Sequence, residues 1–178
     1  MHYAVSDFLL DIVQNSIEAG SSSVMVDYIE ENGRLEVYIS DDGKGMDAGT
    51  LAKVKDPFYT DGCKHEERNV GLGIPFLIQA VEAAGGGFDI KSEPGYGTSV
   101  YFTFDLTHID CPPRGNLPMT FLAMMLFPGG YELAVRRKKD ASEYEVNRSE
   151  LRETLGNLEE SDSLALAKKY LVSLEEEE

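Results

Sequence analysis

A chain of 178 residues with a net charge of −16 suits one domain, or one domain with a substantial extension. So acidic a surface repels nucleic acid and anionic membranes; it also repels nucleotide phosphates, so a bound nucleotide needs a divalent cation and many backbone N–H groups. The two cysteines, Cys63 and Cys111, form no C-x-x-C pair, there is no secretory signal pattern, and the most apolar stretch, Met119–Phe127, falls far short of the ~20 residues a membrane helix needs. These features lead us to expect a cytoplasmic protein with neither a nucleic-acid nor a membrane partner.

In chain order, Ser6 stands where it can cap a first helix running to Gly20, with Leu9, Leu10, Val13 and Ile17 as its apolar stripe. Asp7, Asp11, Asn15 and Glu18 fall on the opposite face. Residues 24–29 and 35–40 alternate as strands around an Asn32-Gly33 hairpin turn. The segment DDGKGM (41–46) ends the second strand, and a weakly amphipathic piece (50–55) follows. A long polar loop runs from Pro57 to Gly73, a length that in a compact domain is uncommon and often functional. Ile74, Leu77, Ile78 and Val81 give the next helix its core face, and Gly85-Gly86-Gly87 ends it. A second hairpin spans 88–92 and 98–106 around Pro94-Gly95-Tyr96-Gly97. The run Cys111-Pro112-Pro113-Arg114-Gly115 with Pro118 reads as a boundary. Beyond it come a short apolar helix (119–127), strands near 131–138 and 143–147, a helix with Leu151, Leu155 and Leu158, and a last helix with Leu164, Ala167, Leu171 and Leu174.

Several of these segments carry chemistry. The Asn15 carbonyl oxygen, on a polar helix face, can coordinate Mg²⁺ without adding charge; taken alone it reads more readily as a solvated surface amide. One turn earlier, Asp11 can polarise a water or hold the metal's water shell. Asp41 stands at a strand end before Gly43 and Gly45, glycines that let backbone approach closely. A carboxylate under a purine accepts a hydrogen from the adenine amino group, where guanine would offer a carbonyl. The bland alternative is a tight strand-to-helix turn. Gly43, Gly45 and Gly49 also form a variant dinucleotide fingerprint, but the weak helix and Pro57 that follow do not make a Rossmann unit. Gly71-Leu72-Gly73 opens a helix, and helix N-termini bind phosphates; no G-x-x-x-x-G-K-[ST] is present. Lys64, His65, Arg68 and Asn69 in the polar loop can reach phosphates.

In this order, DIVQNSIEAG (11–20), DDGKGM (41–46), DPFYTDG (56–62), NVGLGI (69–74) and GYGTSVYF (95–102) resemble the ATP-binding domain shared by histidine kinases, DNA gyrase, the Hsp90 chaperones and the MutL repair proteins. The resemblance covers roughly residues 5–106; none is evident over 107–178. It implies an α+β two-layer sandwich, a mixed and mostly antiparallel sheet with helices on one face and a mobile ATP lid over 57–70. It implies ATP and Mg²⁺ as ligands, Asp41 as the adenine reader, and a Thr98 hydroxyl near the adenine. At Asp11's position hydrolytic members carry Glu and histidine kinases often Asn; Asp keeps the carboxylate on a shorter arm. The resulting division is an ATP-binding domain at 1–106 and an α/β extension at 107–178. A complete sensor kinase would carry its phosphoacceptor His on an upstream helical hairpin. The readings are therefore a stand-alone slow ATPase or nucleotide-controlled switch, a protein kinase acting in trans like the anti-sigma serine kinases, or a non-enzymatic ATP-sensing module with a protein partner. The Arg136-Arg137-Lys138-Lys139 cluster reads as basic residues on an edge strand, solvated or paired with acids such as Glu132 and Glu143.

Overall fold

The computed structural model describes residues 3–56 and 73–176. Helix α1 (Val5–Glu18) buries Val5, Phe8, Leu9, Ile12, Val13 and Ser16, a stripe at the three- and four-residue spacing of a helix lying on a sheet. Strands β1 (Ser23–Glu31) and β2 (Arg34–Asp41) pair antiparallel. Helices α2 (Ala48–Lys55) and α3 (Gly73–Ala83) precede the hairpin of β3 (Phe88–Glu93) and β4 (Gly97–Asp105). Then come α4 (Leu117–Leu126), β5 (Glu132–Lys139), β6 (Ser142–Asn147), α5 (Arg148–Leu155) and α6 (Ser161–Glu176).

One six-stranded sheet holds the strands in the order β3-β4-β2-β1-β5-β6. All its pairings are antiparallel except β1 with β5. Alternate residues of each strand point to one buried face: Val24, Val26 and Tyr28 on β1, Leu35, Val37 and Ile39 on β2, Val100, Phe102 and Phe104 on β4, Leu133 and Val135 on β5. Helix α1 packs between α3 and α4, and α4 packs on α6. The other face carries Met25, Asp27, Tyr38 and Arg136 and stays open to solvent, with Tyr38 and Tyr101 stacked at 4.4 Å. This is the α+β sandwich with a mixed, mostly antiparallel sheet.

Three local expectations are corrected. Helix α1 starts earlier than Ser6: its N-cap is Ala4, which has no side chain to cap with, and Ser6 is buried in the first turn. The first donors of the helix are met from far along the chain, Val5 N–H donating to the Pro113 carbonyl at 2.8 Å and Ser6 N–H to the Arg114 carbonyl at 3.1 Å. The helix also ends at Glu18 rather than Gly20. Finally, the basic strand β5 is interior, flanked by β1 and β6, because residues 107–178 extend the same sheet.

Candidate functional site

Asp41, the last residue of β2, lies opposite Val24 on β1 and Thr98 on β4. Its carboxylate is held on both oxygens. Oδ1 accepts from the Gly43 N–H at 2.9 Å and the Thr98 N–H at 3.3 Å; Oδ2 accepts from the Ser16 hydroxyl at 2.6 Å. Oδ2 thus keeps acceptor capacity for an incoming donor. Ser16 had no part in the sequence reading. Its signal was there: a serine on α1's apolar stripe, one residue after Asn15, whose buried hydroxyl requires a partner.

The loop after Asp41 is clamped by the β3–β4 turn. Lys44 N–H donates to the Ala19 carbonyl at 3.1 Å, and Gly95 N–H donates to the Lys44 carbonyl at 2.8 Å. Met46 N–H donates to the Ser92 hydroxyl at 2.8 Å, and that hydroxyl meets Thr98 Oγ1 at 2.8 Å. Thr98 therefore serves Asp41 through its backbone and Ser92 through its hydroxyl. Gly45 and Gly97 have positive φ, 67° and 113°, and a Cβ on either would lie 1.9 Å from a carbonyl oxygen, that of Glu93 or of Asp41. Gly43 is packed less tightly but still without room: a Cβ there would lie 2.8 Å from Ser21 Oγ and 3.0 Å from Asp41 Oδ1.

On α1, about one turn before its C-terminal end, Asn15 is half-buried and its amide makes no hydrogen bond with a described residue. Asp11 lies a turn away, against the start of α3: a Cβ on Gly73 would fall 3.0 Å from Asp11 Oδ2. Partial burial there, and after it the Asp7 charge, push the Asp11 carboxyl above its ordinary value of 3.8. The carboxylate thus stands beside a helix N-terminus, where unpaired N–H groups and the helix dipole favour phosphate. A neutral amide oxygen and a carboxylate one turn apart are hard oxygen donors suited to Mg²⁺, so the residues present fit that ion. Lys64, Gly71 and Leu72, with the lid segment 57–70, lie outside the described residues. The structure brings Asp41, Gly43, Gly45 and Thr98 into one cluster, and Asp11, Asn15 and Gly73 into a second along α1. Ser16, next to Asn15, joins them.

Residues 3–108 match the family of histidine kinase-, DNA gyrase B-, and HSP90-like ATPases. The chain is 34% identical over 101 residues to the sensor histidine kinase ZraS of Klebsiella oxytoca, covering 55% of this chain and 21% of that protein. It is 30% identical over 111 residues to sporulation kinase E of Bacillus subtilis, covering 60% of this chain and 13% of that protein. The chain thus spans well under a third of the length of these relatives. Among solved structures, the catalytic domain of histidine kinase ThkA aligns with a TM-score of 0.43 at 19% identity, over 56% of this chain and 64% of that one. With the family match spanning more than half of the chain, the chain belongs to the histidine kinase-, DNA gyrase B- and HSP90-like ATPases.

Proposed function

We propose that this chain binds ATP with Mg²⁺ and works as a slow ATPase or nucleotide-controlled switch. The observation that carries the reading is the caged Asp41 carboxylate, three of whose acceptor sites are filled from Ser16, Gly43 and Thr98 while Oδ2 keeps capacity for the adenine amino group. Asn15 would hold the ion, which supplies charge neutralisation at the phosphates when bound. Asp11, kept partly basic by its raised pKa, takes a proton from a water directed at the terminal phosphate. The start of α3 at Gly73 presents backbone donors to the phosphates.

The second reading, phosphotransfer to a protein in trans, is favoured by the kinase names of the relatives. The third, an ATP-sensing module, differs from the first only in turnover. Calorimetry with a non-hydrolysable ATP analogue and Mg²⁺ tests the shared core. Asp41→Asn should weaken binding by roughly 5- to 150-fold, since a mispaired buried group costs ~1–3 kcal/mol. Unchanged affinity in that variant removes the adenine assignment. Phosphate release then separates the readings: Asp11→Asn should cut any turnover by ~10²–10⁴-fold with affinity retained. Equal release by both forms removes Asp11 as base, and transfer of a labelled terminal phosphate to protein favours the kinase.

A further inference from the structure

The basic run of β5 divides by strand alternation. Arg136 and Lys138 turn to the open face and pair with Asp27 at 2.8 Å and Glu31 at 3.2 Å. Arg137 and Lys139 turn to the helix side, where they line a cleft of about 530 Å³ with Glu30, Arg114, Asn116 and Glu175. This cleft shares no residue with the Asp41 and Asp11 clusters. Three cations converge on it in a chain of net charge −16. The N-terminus of α4 opens on it too, adding the positive end of a helix dipole.

Arg137 is almost fully buried, donating from Nη2 to Glu30 at 3.0 Å and from Nε to Glu175 at 3.2 Å. Arg114 Nε donates to the other oxygen of Glu30 at 2.8 Å, while its side chain stays half exposed at the cleft. Beneath Arg137, 4.9 Å from the guanidinium, lies the ring of Tyr28, whose buried hydroxyl has no hydrogen-bond partner among the described residues.

Glu175 is the weakest member of the cluster. It stands in the last turn of α6 beside Glu176, where the helix dipole opposes a negative charge and helix ends open most readily. It is held there by Arg137 and by the Tyr144 hydroxyl, which donates to the same oxygen. We propose that the cleft receives an oxyanion, the phosphate or carboxylate group of a small effector, which takes the place of the Glu175 carboxylate beside Arg137. The exchange keeps Arg137 paired with an anion and releases the end of α6.

The test is a titration of the full chain with inorganic phosphate and, separately, with succinate, at ionic strength matched by sodium chloride. The readout is the ¹⁵N resonances of the arginine Nε–H groups. Saturable shifts at Arg114 and Arg137 are expected. Glu175→Gln, which removes the internal competitor, should tighten binding by ~10-fold, and Asn116→Asp should weaken it by ~10-fold. The latter keeps the α4 N-cap, because Asn116 Oδ1 accepts from Met119 N–H at 3.2 Å and an aspartate caps equally well. Saturation by phosphate alone identifies a phosphorylated effector, and by succinate alone a carboxylate. Shifts that merely follow chloride, or that ignore both substitutions, overturn the proposal. Because the readout does not involve nucleotide, it stands or falls independently of ATP binding.

Discussion

At the scale of the residue, the site depends on hydroxyls that hold carboxylates in place. The Ser16 hydroxyl is one of three hydrogen bonds fixing Asp41, and the only one from a side chain among the described residues. Ser16→Ala should therefore lower affinity for an ATP analogue by ~10-fold through a loosened Asp41, and lower the melting temperature by a few degrees, the cost of one hydrogen bond to a charged group. Calorimetry beside a thermal melt checks both. Asp11 allows a test with a definite sign. Its folded carboxyl binds a proton more tightly than an aspartate of pKa 3.8, so its contribution favours folding below that pH and is lost as pH rises through the raised folded value. Asp11→Asn should then raise the melting temperature at pH 7 by about 1–2 °C, a fraction of 1 kcal/mol for an exposed, solvent-screened group. The gain should vanish near pH 3; a gain independent of pH would mean that the charge is not its source.

At the scale of elements, local periodicity was a sound guide where neighbours in sequence are neighbours in space. The hairpins at Asn32-Gly33 and Gly95, and the core faces of α1 and α3, were legible for that reason. What was not legible came from elsewhere in the chain. Nothing near Ser6 announces that carbonyls of Pro113 and Arg114 will receive the first donors of α1. Nothing near Arg148 announces its role either. This buried side chain donates to the carbonyls of Met125 at 2.9 Å, Tyr131 at 2.7 Å, and Phe127 and Gly129 at 3.2 Å, and its guanidinium lies 3.9 Å over the Tyr131 ring. It ties the end of α4, the following turn and the entry to β5 to the first residue of α5. Arg148→Met leaves those carbonyls without a donor and should cost about 2–4 kcal/mol in denaturant unfolding. Arg148→Lys, with three donors, should recover part of the loss. Within the candidate site, Asp41 and its glycines were legible as a motif, whereas Ser16 was hidden by its place on an apolar stripe and Ser92 by its place in an ordinary hairpin strand.

At the scale of the whole molecule, the helix bearing Asp11 and Asn15 depends on residues well beyond the family match. Its first turn is capped by residues 113 and 114, one flank is covered by α4, and the strand after it is covered along its edge by β5. A chain shortened to residues 1–110 should lose a cooperative thermal transition by circular dichroism; a sharp melt near that of the full chain would show that the first segment stands alone. The pairing of β1 with β5 raises a different question, that of alignment. No short turn dictates how two parallel strands so far apart in the chain should slide against each other. Here the charges of β5 answer it on both faces at once: Arg136 meets Asp27 outside, Arg137 meets Glu30 inside, and Lys138 meets Glu31 outside. A slip by one residue would turn Arg136 and Lys138 inward and Arg137 outward, stranding cations away from their carboxylates. The basic run and the acids of β1 thus work as matching teeth, so that charge marks the same alignment as the apolar face.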